Sequence, residues 1–266
     1  AGLELLADAT VNSIFPAEEV DRLRRQLAPR LAQVQQNPST VADARLWEAV
    51  FGSHPYARSP LGSPATLARL DWNDLRDFHG DFYRPDRAVL AIAGDVDPEG
   101  AFAAAADRFG DWAGHAKVAS APAVPVPPAA PRLRVVDRPD LGRSEVRIGL
   151  LCPPQTDPDA VALQIAERVF AGSGSGSRLG RALAGSGLSP VDLRTSFTIL
   201  GDAGLLSVGG PIMTDSVAVF VARVRDELAR LATHPPEAGE VDAARRALAG
   251  GFALQFQSSS ALLAQW

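Results

Sequence analysis

The feature that most constrains this 266-residue chain is the stretch 113–131, rich in alanine and proline, with Pro122, Pro125, Pro127, Pro128 and Pro131. Proline fixes φ and has no backbone N–H, so such a stretch neither continues a helix nor sits centrally in a sheet. It reads as an extended, semi-rigid connection. The chain is thereby divided into residues 1–112 and 132–266, a length that suits two domains, each able to bury its own core.

On the N-terminal side, residues 2–13 read as the end of a helix. Val20, Leu23, Leu27, Leu31 and Val34 then recur at helical spacing on one face. Pro29 lies inside that stripe and predicts a kink near Gln26 to Pro29. A further helix is predicted over 39–51, stopped by Gly52 and Pro55. Asp71 is placed to cap a helix with apolar positions Leu75, Phe78 and Phe82, which Pro85 ends. Ala88 to Ala93 is uniformly apolar and reads as a strand covered on both faces. Pro98 opens a helix expected to be buried through Phe102, Ala105 and Phe109.

Beyond the connection, Leu133 to Val136 and Val146 to Cys152 read as strands, 157–170 as a helix, 171–177 as a Gly/Ser loop and 178–184 as a short helix. Strands at 191–199 and 203–209 are joined through Gly201-Asp202, a plausible hairpin turn. Thr214 to Ala232 is an amphipathic helix with Val217, Phe220, Val221, Val224, Leu228 and Leu231 on one face, and a last helix starts at Glu237. The alternation predicts an α+β fold, a layered sandwich of helices on a mostly antiparallel sheet.

Composition narrows the partners. Lys plus Arg number 26 against 31 Asp plus Glu, a net charge of −5, with no basic stripe interleaved with aromatics, which argues against nucleic acid. No apolar run reaches the ~20 residues of a membrane span. Cys152, the single cysteine, has no partner for an internal disulfide and lies in an apolar strand, where a buried, inert thiol is expected. The sequence begins mid-pattern at Ala1, without Met or a signal segment, and stops at Trp266 in a helix-like stretch. A piece of a longer polypeptide is therefore expected.

One block combines Phe51-Gly52-Ser53-His54-Pro55-Tyr56, Pro60-Leu61-Gly62, Phe78-His79, Phe82-Tyr83-Arg84-Pro85 and Val89 to Pro98, the last running through Gly94-Asp95-Val96-Asp97. With Ala166 to Phe170, Gly172, Ser177-Arg178-Leu179, Glu240 and Ala244 to Leu248, it resembles the insulinase/pitrilysin family of zinc metallopeptidases over nearly the whole chain. The resemblance implies tandem metallohydrolase-like α/β sandwich domains. Residues 1–112 would be the C-terminal part of a first domain, 113–131 the linker, and 132–266 a second domain that could be truncated at its C-terminus.

Members of that family bind zinc through His-x-x-Glu-His on one helix and a glutamate from a later one, while a further glutamate deprotonates the metal-bound water. Here His54, His79, His115 and His234 are scattered, none with a partner three or four residues away. That motif could lie upstream of Ala1. Set on the family pattern, the helix from Phe15 to Val34 puts Leu23 and Arg30 where active relatives carry two glutamates. A guanidinium cannot ligate zinc and repels the dication. Active relatives also grip substrate through an arginine and a tyrosine in Leu-Arg-Glu…Gly-Leu-x-Tyr. The matching run, Leu183-Ala184-Gly185-Ser186-Gly187-Leu188-Ser189-Pro190, carries Ala184 and Pro190 at those two positions. The resemblance thus implies a non-catalytic domain with no cofactor of its own, the zinc belonging to an active homologous half.

Gly172-Ser173-Gly174-Ser175-Gly176-Ser177 is tempting as a phosphate loop, but it lacks Gly-Lys-Ser/Thr and follows a helix instead of a strand. It reads as a flexible loop, with Gly172, Gly174, Gly176, Ser177 and Arg178 as candidate residues facing a peptide or a partner. His54 reads as structural within its turn, His79 as packing or locally hydrogen-bonded, and Asp97-Pro98-Glu99 as a helix start.

Three functions follow. The first is an inactive half that closes a peptide-binding chamber with an active insulinase/pitrilysin-type domain or subunit; a homodimer is a separate candidate assembly. The second is an active zinc endopeptidase whose ligands lie outside this sequence. The third is a peptide-binding or scaffold module, as in respiratory-complex core subunits. At the level of the family, a periplasmic or cell-envelope location is expected ahead of the cytoplasm.

Overall fold

The structure, a computed structural model, describes residues 1–117, 122–172, 176–189, 193–254 and 256–263. The fold is mixed α+β and divides into two compact units, neither of them contiguous in sequence. Unit 1 comprises Ala1–Ala32, Gly62–Ala121 and Gly251–Trp266, and unit 2 comprises Gln33–Leu61 and Pro122–Gly250. Among the described residues no helix is long and apolar enough to cross a membrane.

Unit 2 is built on an antiparallel sheet of three strands, β1 (Arg143–Cys152), β2 (Arg194–Ile199) and β3 (Gly204–Met213), in the order β1-β3-β2. Val146 faces Gly210 across the β1–β3 ladder, and Phe197 faces Leu206 across the β2–β3 ladder. Leu200 N donates to Ala203 O at 2.9 Å and closes the hairpin between β2 and β3, at the expected Gly201-Asp202 turn.

Helix α3 (Pro38–Phe51), capped by the Asn37 side chain, lies on β1. A Cβ at Gly149 would come within 2.6 Å of Leu46 Cδ1, so glycine is what lets the helix approach the strand. Tyr56 follows α3. Its hydroxyl donates to Asp202 Oδ2 at 3.2 Å, tying the His-Pro-Tyr turn to the β2–β3 hairpin. His54 is buried, and its Nδ1 accepts from Tyr56 N at 3.2 Å, in keeping with a structural reading.

The main core of unit 2 joins this sheet to α7 (Ala160–Ala171), α8 (Arg178–Ala184) and α9 (Val217–Thr233). Phe170, Leu179, Val208, Phe220 and Val224 are fully buried together, with Val217, Val221, Leu228 and Leu231 packed at the edge of the cluster. The face of α9 read from the periodicity is therefore the one that meets the core. Each such aromatic or aliphatic side chain contributes about 1.5–3 kcal/mol on burial. Cys152 is only half buried at the end of β1, and that burial pushes its thiol pKa up.

The described residues of unit 1 form helices without a strand: α1 (Gly2–Val11), most of α2 (Ala17–Gln36), α4 (Pro64–Leu67), α5 (Trp72–Phe82), α6 (Pro98–Phe109) and α11 (Ser259–Leu263). Helix α10 (Ala238–Leu254) starts in unit 2 and ends here. The predicted caps are in place. Asp71 accepts from Asn73 N at 2.8 Å and Asp74 N at 3.1 Å, and Asp97 accepts from Gly100 N at 2.7 Å. Helix α2 is continuous through Pro29, whose surroundings are exposed, so water can satisfy the carbonyl that proline leaves without a donor. His79 Nε2 hydrogen-bonds to Thr10 O at 2.8 Å and its ring stacks on Tyr83.

Three expectations fail. Ala88 to Ala93 is not a strand covered on both faces, because it forms no ladder and Val89 is 92% exposed. The face of α6 that was expected to be buried leaves Phe102 77% exposed. Leu133 to Val136 is likewise outside any strand, with Leu133 and Val135 exposed. In each case the local sequence favours burial, but the described residues place no paired strand or packed face against these exposed side chains.

Candidate functional site

The Gly/Ser loop of unit 2 is held at both ends. At its start, α7 stops at Gly172, whose N–H bonds Arg168 O at 3.0 Å. A Cβ there would collide with that same carbonyl oxygen. At its end, the buried Ser177 caps α8, its hydroxyl accepting from Gly180 N at 3.1 Å. Residues 173–175, with Gly174, lie outside the described residues, as does Pro190.

Behind the loop lies an ion-pair clasp. Arg178 donates to both carboxylate oxygens of Glu240, at 2.6 Å from Nη2 and at 3.1 and 3.2 Å from Nε. Its remaining donors reach His234 O at 3.1 Å and Pro235 O at 3.3 Å, in the turn between α9 and α10. Arg181, one turn on, donates to Glu240 at 2.9 Å and to Gly176 O at 2.7 Å. Glu240 also accepts from Glu237 N at 3.2 Å, the reach-back of a third helical residue to the N-cap backbone. The Arg178 hydrogen bonds, helped by that backbone donor and Arg181, push the Glu240 carboxyl down to about 2.

The clasp forms one wall of an open cleft of about 1060 Å³ lined by four arginines and four carboxylates. Its further charges are also paired. Arg230 donates to the buried Glu227 at 2.8 Å, and Arg223 lies 3.6 Å from Asp226. Apart from Glu237, each of these charged side chains is bound to a neighbour, and charges held in this way are structural ties rather than activated nucleophiles. What the arrangement does is anchor residues 176–178 and α8 to the turn that starts α10. Arg181, Arg223 and Glu227 were not singled out from the sequence. The signal available was the spacing of Arg178 and Arg181, three apart on one helix face, and an acid at the third position of α10.

The positions expected from the family pattern to be degenerate fall elsewhere. Leu23 and Arg30 lie on α2 in unit 1, Leu23 47% exposed and Arg30 exposed. Two of the acids on that helix are engaged: Asp21 pairs with Arg24 at 2.8 Å and Glu19 with Arg22 at 2.7 Å. This donor set does not suit zinc, which takes neutral imidazole, thiolate or carboxylate ligands. Among the described residues no three His, Cys, Asp or Glu side chains come together so as to hold a metal ion. Ala184 is the exposed last residue of α8 in unit 2, and the nearest arginine on that helix, Arg181, is committed to the clasp.

Residues 69–248 match the family described as the peptidase M16 inactive domain. The chain belongs to this family. The resemblance to insulinase/pitrilysin peptidases is thus shown, for a non-catalytic M16-like domain. Uncharacterized zinc proteases of Mycobacterium tuberculosis and Mycobacterium bovis are each 28% identical over 271 residues, covering 99% of this chain and 60% of the relative. The chain accordingly spans about 60% of the length of these curated relatives. Among solved structures, the peptidase M16 inactive domain from Pseudomonas fluorescens has the same fold, with a TM-score of 0.83 at 23% identity over 99% of this chain and 62% of that one. A protease from Helicobacter pylori superposes with a TM-score of 0.82 at 20% identity, over 99% of this chain and 64% of that one. A chain of complex III2 from Candida albicans does so with 0.77 at 17% identity, over 98% and 64%.

Proposed function

We propose that this M16-type domain acts as the inactive half of a zinc metalloprotease, closing a peptide-binding chamber with an active homologous domain or subunit. The observation that carries the reading is helix α2. It retains the family scaffold but has Leu23 and Arg30 where the family pattern asks for carboxylates, and Asp21 and Glu19 are tied up in ion pairs. Zinc and general base then come from the sibling, in line with the zinc-protease names of the mycobacterial relatives. This chain supplies chamber wall and the free edges of β1 and β2, which suit main-chain pairing with an extended peptide. The anchored residues Gly172, Gly176, Ser177 and Arg178 would set the mouth of the Gly/Ser loop toward peptide or partner. The 113–131 stretch would serve as a hinge.

The test is to mix the purified chain with its active sibling and follow hydrolysis of an unstructured peptide, together with zinc content. The expected result is association, a gain in rate, and no stoichiometric zinc in this chain alone. Neither association nor a gain would overturn the reading, as would zinc and hydrolysis by this chain alone. A second reading, a scaffold module, is favoured by the likeness to a chain of complex III2. It predicts stable assembly with no effect on hydrolysis.

A further inference from the structure

Glu145, Glu227 and Glu240 of unit 2 each hold an arginine, Arg147 at 2.9 Å, Arg230 at 2.8 Å and Arg178 at 2.6 Å. Glu167, half-buried on α7, forms no ion pair among the described residues. It shares a side-chain hydrogen bond with the Thr195 hydroxyl of β2. That hydroxyl also donates to Ala171 O at 2.9 Å, at the end of the same helix. A hydroxyl has a single hydrogen, which cannot serve a carbonyl and a carboxylate together, so the charged form of Glu167 is short of a donor. Burial pushes its carboxyl pKa up, against the weaker pull of Thr195 and of the adjacent Arg168. A cationic donor brought to Glu167 would supply both the charge and the hydrogen bonds that it lacks.

The place of Glu167 says where such a cation comes from. β2 is an outer strand in the order β1-β3-β2, so one of its edges meets no strand among the described residues. Thr195 lies opposite Val208 of β3, which is buried in the core with residues of α7, α8 and α9, so both side chains are on the helix-covered face of the sheet. Phe197, two residues on, shares that face. A strand added to the outer edge of β2 alternates in the same way, and its side chain beside Thr195 comes to the helix side, where Glu167 stands. We propose that Glu167 selects a basic side chain, arginine ahead of lysine, in an extended peptide paired with the outer edge of β2, with an apolar side chain two positions away beside Phe197. The guanidinium fork meets both carboxylate oxygens and leaves the Thr195 hydrogen on Ala171 O. The inference rests on the reading of β2 as a peptide-pairing edge and adds what the peptide must carry.

Fluorescence anisotropy on the natural polypeptide in its full length tests it, with a short labelled peptide of alternating threonine and valine that carries one central arginine, and with its counterpart carrying citrulline, the neutral isostere. The wild-type protein should bind the arginine peptide about tenfold more tightly than the citrulline peptide. Glu167→Gln should remove that preference and leave the affinity for the citrulline peptide unchanged. Equal binding of the two peptides by the wild-type protein, or a preference retained in Glu167→Gln, would overturn the role of Glu167 and leave the edge reading standing. Binding of neither peptide would overturn the edge reading and the proposal with it.

Discussion

Unit 2 and unit 1 are made of the same kind of sequence and treat their apolar residues in opposite ways. In unit 2, Phe170, Leu179 and Phe220 have no exposed surface, and a three-stranded sheet receives the apolar faces of α7, α8 and α9. In unit 1, Phe78, Phe102 and Val89 face outward, and the one segment with the composition of a buried strand has no partner among the described residues. Amphipathic helices specify which face wants to be covered. Only a sheet or another helix at the right distance covers it.

The contrast is best broken by cavity formation. Phe220→Ala should cost about 3–5 kcal/mol in urea unfolding, the range for deleting a fully buried aromatic. Phe102→Ala, on an exposed site, should stay within about 0.5 kcal/mol. Comparable losses at the two sites would show that unit 1 has a core of its own.

The clasp sharpens the comparison at a middle scale. Arg178→Ala should cost about 2–3 kcal/mol, because charge-assisted hydrogen bonds are lost and the Glu240 carboxylate is left with one arginine. The same pair makes unit 2 acid-sensitive. Glu240 has a folded pKa of about 2 against an ordinary 4.5. The lowered folded value means that its contribution is fully present above pH 4.5 and is lost as pH falls from there toward 2. In Glu240→Gln that part of the acid limb should disappear from a pH series of unfolding midpoints. An unchanged limb would place the titration elsewhere.

A loss smaller than that at the clasp is expected at the His-Pro-Tyr turn. Tyr56→Phe removes the hydrogen bond to Asp202 and should cost about 1 kcal/mol. No change would mean that the turn is held by ring packing on Phe51 and His54 alone.

Much of the fold was legible because it is local. The helix predicted over 178–184 is Arg178–Ala184, the helix set on Asp71 starts at Trp72, and Pro98 opens α6. Caps and stops act within a few residues, so the chain carries them wherever it is placed. The candidate site was legible only at its near end. Gly172, Ser177 and Arg178 stand out as a loop and helix start, but nothing in the sequence says that Arg178 meets Glu240, 62 positions later.

The sequence by itself thus determined most of the helices, the caps at Asp71 and Asp97, the strands of unit 2 that pair, the buried face of α9 and the family. It did so through periodicity and side-chain chemistry that are satisfied within a helical turn or a strand's pleat. The tertiary structure alone decided that Tyr56 meets Asp202, that Arg181 joins the clasp, and that residues 33–61 pack with 122–250. It also decided that 88–93, as apolar as any strand of unit 2, stays uncovered. Burial is a property of two surfaces, and a sequence segment specifies only one of them.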